Sequence, residues 1–414
     1  MSNSRTIRPY DSGAKTLLHL IGSVDPTMGG PVEALGQLFR VFERNGIRIE
    51  VASLDQPDAP FLKDCPFKVH ALGRHKGTEQ WPTTKVPWVR YRYSRRYPKW
   101  LAANLADYRL VILHGLWTHA SLGALGPLSR SNRPYFVFTH GALDPWFRRT
   151  YPVKHRIKQL FWWAGEGRLL SNARRVLFTS ESERRLARGA FLGYRVNETV
   201  IRYGIADPPP SADRQQRAFG LAAPRLGDRR YLLFLSRIHP KKGCDLLVRA
   251  FAEVAREDPE LQLVIAGPDE TGWRKALMQT AREAQVDDRI HWPGMLKGDA
   301  KWGAFRGCEA FVLPSHQENF GIVVAEALAC GKPALISDQV NIWREVDEAG
   351  AGVVRPDTLD GTVDLLRAWI GESPAEKQAR GIAARRCFLN CFDIRRTSAD
   401  ILGLVREVLD NDAP

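Results

Sequence analysis

The chain has 414 residues, a formal net charge of +14, 44% apolar residues and 26% charged residues. That length suits two domains better than one, and that balance describes a globular protein with real cores, which excludes a disordered chain. No apolar run is long enough to cross a bilayer, and the polar opening MSNSRTIRPYDSGAK lacks the apolar core of a signal peptide, so a cytoplasmic protein is expected.

The first predicted unit is a β-α-β. Lys15–Gly22 reads as a buried strand, and the loop SVDPTMGG follows. Pro31 suits a first helical position, with Val32, Leu35, Leu38, Phe39 and Phe42 at helical spacing. Gly46 ends that helix, and Ile47–Ser53 is the next strand. Further strands are expected at Leu110–Leu113, Tyr135–Thr139 and Arg175–Thr179. Strands alternating with helices argue for a parallel, doubly wound α/β sheet.

The pattern lapses over Ile205–Arg230, which is rich in Pro, Ala and Arg and reads as a linker with a short helix inside. A second series then begins. Strands are expected at Tyr231–Ser236, Leu261–Ala266, Arg289–Trp292, Phe311–Leu313 and Pro333–Ser337, with helices at Cys244–Glu257, Gly272–Ala284 and Asp299–Gly307. The expected division is an N-terminal Rossmann-like domain over 1–206 and a second Rossmann-like domain over 207–391. The amphipathic tail 392–414 is expected to pack back on the first. Ligands of such sheets bind beyond the carboxyl ends of the strands.

Two loops at such ends carry chemistry. Ser236–Gly243 (SRIHPKKG) places Arg237 and Lys242 in one strand-to-helix turn. Arginine offers a planar fork for phosphate oxygens, lysine a point charge, and Gly243 relieves crowding where the turn enters the helix. Paired surface cations in a polar loop explain that stretch about as well on its own. The second loop lies within Phe311–Pro333, FVLPSHQENFGIVVAEALACGKP. Pro314 ends the strand, and a helix is expected from about Phe320 to Cys330, closed by Gly331 and Pro333. Gly321 falls in the first turn, where free N–H groups and a missing side chain admit an anion. Glu318 precedes the helix and Glu326 lies two turns inside it. Carboxylates repel phosphate, so their task is to accept hydrogen bonds from sugar hydroxyls. An acid paired with a nearby cation on the helix face is the plainer account of Glu326.

Together, Ser236–Gly243 and the run Glu318–Glu326 (ENFGIVVAE) resemble the paired signatures of the family 4 retaining glycosyltransferases. That family has the GT-B fold, two Rossmann-like domains facing a cleft, and includes sucrose, phosphatidylinositol-mannose and many bacterial polysaccharide enzymes. The likeness is strong over Tyr231–Pro356 and looser before it. It implies a nucleotide-sugar donor, UDP- or GDP-linked, and no cofactor or metal. Arg237 and Lys242 then grip the donor diphosphate, Glu318 contacts the transferred sugar, and Glu326 binds the ribose. Asn319, Phe320 and Gly321 lie where backbone N–H groups meet phosphate, and Gly294, Met295 and Leu296 flank the base. In the first domain Gly29 and Gly30 resemble a glycine loop for donor and acceptor, although a plain turn explains them nearly as well. His140, in Thr139-His140-Gly141, resembles the active-site histidine, with His114 a competing candidate. Tyr203-Gly204-Ile205-Ala206 departs from the family's Asn-Gly-Ile-Asp, which puts any role of that Asn or Asp in doubt here.

Charge and aromatics bear on the acceptor. Lys85–Arg109 mixes Trp88, Tyr91, Tyr93, Tyr97 and Trp100 with basic residues, and Trp146–Arg175 mixes Phe161, Trp162 and Trp163 with Arg148, Arg149, Lys154, Arg156 and Lys158. Such mixtures suit an anionic membrane face, so a lipid-linked saccharide in cell-surface polysaccharide synthesis is the expected acceptor, reached by peripheral contact at the inner face of the cell membrane. Solvated cations over core aromatics are an equal alternative. A basic α/β protein that binds nucleic acid or a membrane surface without transferring sugar is the competing function. It lacks a recognition motif and leaves Glu318 and Glu326 unexplained.

Overall fold

A computed structural model describes residues 16–26, 30–74, 91–269 and 272–411. The chain forms two units, one of residues 1–179, 183–201 and 398–414, the other of 180–182 and 202–397. The expected Gly29 falls outside the described residues, as do Lys85 and Trp88.

In the first unit seven strands form one parallel sheet: β1 (Thr16–Ile21), β2 (Arg48–Ser53), β3 (Lys68–Ala71), β4 (Leu110–His114), β5 (Tyr135–Phe138), β6 (Arg175–Phe178) and β7 (Glu198–Val200). Their order is β3-β2-β1-β4-β5-β6-β7, with the chain reversing direction across the sheet between β1 and β4. Leu17, Leu18, Leu20, Val111, Ile112, Phe136 and Val137 are fully buried, as expected of strands covered on both faces. The helix Gly30–Arg44 follows β1, and Gly30 is its first residue. Ile401, Leu402, Val405, Val408 and Leu409 of the last helix pack in this unit with Leu17, Ile49 and Phe136.

The second unit holds β8 (Tyr231–Leu235), β9 (Gln262–Ala266), β10 (Ile290–Gly294), β11 (Ala310–Leu313), β12 (Ala334–Ser337) and β13 (Gly352–Arg355). They form a parallel sheet in the order β10-β9-β8-β11-β12-β13, so the reversal falls between β8 and β11. The loops leaving β8 and β11 are therefore neighbours, although 75 or so residues separate them in sequence.

Three strands escape the sequence reading. β3, β7 and β13 lie at sheet edges and are short and partly exposed, so none carries a continuous apolar run. The stretch after Ile205 carries the short helix expected within it. Its helix, Asp213–Ala222, buries Gln215 and Phe219 against the helix Gly298–Gly307. A side chain at Gly303 would sit 2.1 Å from the Gln215 carbonyl oxygen, so only glycine allows that approach.

Candidate functional site

At the carboxyl edge of the second sheet, the loop after β8 carries Arg237 exposed and Lys242 buried. Lys242 closes a short 3-10 turn, Pro240–Lys242, which His239 caps by accepting from the Lys241 N–H at 3.1 Å. Gly243 follows with φ +66°, and a Cβ there would meet the Pro314 carbonyl oxygen at 2.0 Å. The turn thus lies directly on the end of β11. Ser315 Oγ and the His316 N–H both donate to the Lys241 carbonyl, at 3.0 and 2.9 Å, and lock the two loops together. At β9 the same crowding recurs: a Cβ on Gly267 would lie 1.8 Å from the Ser236 carbonyl oxygen.

This junction brings Lys242 to Glu318, and the ammonium donates to Glu318 Oε2. The Glu318 backbone is held between its N–H, which donates to Gln339 O, and its carbonyl, which accepts from Asn341 N–H, both at 3.0 Å. Asn319 is half-buried. Phe320 is buried against Tyr203 and Phe392, with ring centroids 5.2 and 5.6 Å away.

The helix that follows is Ile322–Ala329, two residues later in its start than the apolar spacing suggests. Gly321 is its N-cap, at φ +79°, rather than part of its first turn. The capping residue supplies no side-chain acceptor; the Val324 N–H donates to the Gly321 carbonyl at 2.8 Å, and the positive end of the helix dipole lies at this turn. The other end closes as expected: Gly331 takes φ +69°, its N–H donates to Leu328 O, and Lys332 N–H donates to Ala327 O, both at 2.9 Å.

Glu326 is 4% exposed and accepts from Lys301 Nζ at 2.5 Å. Lys301 sits on the helix after β10, and its ammonium also lies 4.7 Å from the Trp302 ring centroid. Nothing local marks Lys301, because its partner lies 25 residues away on another helix. Gly294 ends β10 at φ +77° and its carbonyl accepts from Gly267 N–H at 2.8 Å. Met295 beside it is 59% exposed, and Leu296 turns into the core.

In the first unit His140 follows β5 in a left-handed conformation, φ +46°, with Gly141 at φ +75°. Glu183 holds this turn. Its Oε1 accepts from Thr139 Oγ1 and the Gly141 N–H, each at 2.6 Å, and its Oε2 accepts from the Thr179 N–H at 2.6 Å and Thr179 Oγ1 at 2.7 Å. Glu183 was not foreseen either; an isolated acid early in a helix looks like any other. His114, the competing candidate, touches His140: His114 Nδ1 lies 3.1 Å from His140 Nε2. Burial lowers the His140 pKa to about 4, so the ring is neutral at pH 7.

The two basic-aromatic stretches divide. Tyr97 is fully buried, its hydroxyl donating to Ala120 O at 2.9 Å, and Trp162 stacks in the core on Phe191. Val153, Ile157, Leu160, Phe161 and Trp163, in contrast, are 42–70% exposed.

Residues 222–385 match the family model of Glycosyl transferases group 1, and residues 29–204 that of the Glycosyl transferase 4-like domain. D-inositol 3-phosphate glycosyltransferases of Saccharomonospora viridis and Kineococcus radiotolerans are each 31% identical to the chain, over 210 and 253 residues. These matches cover 49% and 54% of this chain and 47% and 54% of those proteins, so the chain spans about half the length of these curated relatives. Among solved structures, Anabaena HepE in complex with UDP and glucose superposes with a TM-score of 0.74 at 18% identity, covering 95% of this chain and 100% of that one. Sucrose-phosphate synthase from Thermosynechococcus elongatus gives 0.75 at 19%, covering 96% and 100%. At those identities the likeness is one of fold, and the fold is GT-B. With a Glycosyl transferase 4-like domain followed by a Glycosyl transferases group 1 domain, the chain belongs to the family 4-type glycosyltransferases.

Proposed function

We propose that the chain transfers a sugar from a UDP- or GDP-sugar to an acceptor hydroxyl, with retention of anomeric configuration and without a divalent metal. The observation that carries this reading is the junction of the β8 and β11 loops. It sets a buried cation, Lys242, against an acid, Glu318, just before the N-terminus of the helix Ile322–Ala329. Departure of the nucleotide builds negative charge on phosphate and positive charge on the sugar ring. Fixed donors aimed at the leaving phosphate supply the largest stabilisation. Arg237, Lys242 and the N–H groups after Gly321 serve that end, Glu318 takes the sugar hydroxyls, and Glu326 the ribose. Met295 and Leu296 then flank the base. HepE, a fold neighbour, was solved with UDP-glucose, which favours UDP as the first donor to try.

The test is a screen of UDP- and GDP-sugars for released nucleotide, run with and without EDTA. Release from one donor, undiminished by EDTA, is the expected result. No release from any donor, alone or with candidate acceptors, would overturn the reading.

The acceptor in this proposal is a lipid-linked saccharide at an anionic membrane surface. Along the helix Pro152–Phe161, Val153, Ile157, Leu160 and Phe161 are exposed at spacings of four, seven and eight residues, flanked by Lys154, Arg156 and Lys158. An apolar stripe with basic borders is the pattern of an interfacial helix. The protein should float with vesicles containing anionic lipid at moderate salt, and Ile157→Glu/Leu160→Glu should not. Failure of the wild type to float would leave a free phosphorylated acceptor, the kind named for the curated relatives, as the reading.

A further inference from the structure

Three histidines from three strands of the first sheet meet in a row. His19 is on β1, His114 ends β4, and His140 follows β5. β1 and β4 are paired neighbours, as are β4 and β5, so the side chains stack across the sheet's carboxyl half. His19 Nδ1 lies 2.9 Å from His114 Nε2, and His114 Nδ1 lies 3.1 Å from His140 Nε2. Successive ring planes are within 18° of parallel.

Each contact needs one N–H and one lone pair, and a neutral imidazole has one of each. Only two arrangements satisfy both contacts, running in opposite directions. They differ at the far end. His19 is fully buried, and its Nε2 has no hydrogen-bond partner among the described residues. If the row ran from His140 to His19, the last proton would sit on that nitrogen as an orphaned buried donor, the rarer and costlier case. If it runs from His19 outward, His19 Nδ1–H donates to His114 Nε2, and His114 Nδ1–H donates to His140 Nε2. The His140 proton is then on Nδ1.

From this geometry we propose that His19 and His114 form a one-way hydrogen-bond chain that fixes the His140 proton on Nδ1, so that His140 serves the reaction as a hydrogen-bond donor and not as a base. The lone pair a base would need is committed to His114. His19 and His114 are positioning residues in this scheme, and no proton moves through them. Burial keeps all three rings neutral, with His19 lowered to about 3, His140 to about 4, and His114 lowered further by its two neighbours as well. The tautomer follows from the row alone. Its use in sugar transfer rests on the function proposed above, with His140 meeting a substrate hydroxyl or phosphate oxygen.

The experiment is a long-range proton–nitrogen correlation spectrum of the full chain labelled with 15N-histidine, at pH 7, assigned with single variants. One protonated nitrogen per ring, on Nδ1 for all three, is expected. A His140 proton on Nε2, or a charged His140, would overturn the proposal whether or not any donor is turned over. His19→Asn keeps a donor N–H near the place of Nδ1, whereas His19→Leu removes it. The Asn variant should keep the His140 tautomer and near-normal turnover. The Leu variant should mix the tautomers and lower kcat about tenfold, with KM for the donor little changed. Equal loss in both variants, with the His140 tautomer unmoved, would sink the positioning role.

Discussion

The Gly141 N–H donates to Glu183 Oε1 at 2.6 Å, while the other oxygen of that carboxylate takes the Thr179 N–H at the same distance. One buried acid therefore ties the turn that carries His140 to the end of the neighbouring strand. Both N–H groups belong to the backbone and cannot turn into acceptors. A glutamine at 183 must point its NH2 at one of them. Glu183→Gln is expected to cost about 1–3 kcal/mol of stability, and to lower turnover by about 10- to 100-fold through displacement of His140. Urea unfolding and steady-state rates measure the two effects. Unchanged rates would mean that the turn holds its shape without this acid.

Lys242 and Glu318 face each other, yet they are assigned to different parts of the donor. Lys242→Ala removes the cation on the leaving phosphate, and Glu318→Ala the acceptor for sugar hydroxyls. Each should lower kcat by about 100-fold or more, with the far-ultraviolet dichroism of the wild type. Nucleotide affinity separates them. It should fall in Lys242→Ala and hold in Glu318→Ala, as calorimetry with UDP or GDP can show. Wild-type rates in either variant would remove that residue from the site.

Gly243 has no room for a side chain and a positive φ that other residues adopt at a cost. Gly243→Ala should destabilise the protein by more than about 2 kcal/mol, because the turn and the Pro314 carbonyl must separate. The same separation withdraws Lys242 from Glu318. Loss of nucleotide binding should therefore accompany the drop in the urea midpoint.

The histidine row makes stability depend on pH. His19, His114 and His140 have folded pKa values well below the ordinary 6.5, so their contribution is complete above pH 6.5 and is lost as the pH falls towards about 4 and 3. Each proton taken up on unfolding adds about 1.4 kcal/mol per pH unit to the slope. Glu166 acts in the opposite sense. Burial raises it to about 7, so it favours folding most below its ordinary 4.5, and that contribution is lost as the pH rises through 7. Three protons oppose one, and unfolding free energy should fall steadily from pH 6.5 to 4.5. His19→Leu should flatten that slope and Glu166→Gln should steepen it, as urea titrations at several pH values would reveal.

Much of the second unit was legible because its signals are local. A short apolar run, a proline, a polar loop and a glycine-opened helix stand together in Phe311–Pro333, and the strand and helix form with their bounds shifted by one or two residues. Gly243 could be named from its place between a cationic turn and a helix. Edge strands were not legible, since half-exposed residues such as Lys68–Ala71 carry no burial pattern. Within Ile205–Arg230 the short helix is legible but its packing is not, because the helix that Gln215 and Phe219 meet, Gly298–Gly307, is remote in sequence.

By itself the sequence determined the α/β alternation, the loops that hold Arg237, Lys242 and Glu318, and the left-handed glycine at the helix end. These follow from neighbours within a few residues, where spacing, φ preference and charge act directly. The pairings of Lys301 with Glu326, of Glu183 with the His140 turn, and of His19 with His114 were decided only in three dimensions. Strand order brings together groups that lie 25 to 95 residues apart, and a buried carboxylate or imidazole takes whichever partner the packed sheet sets beside it.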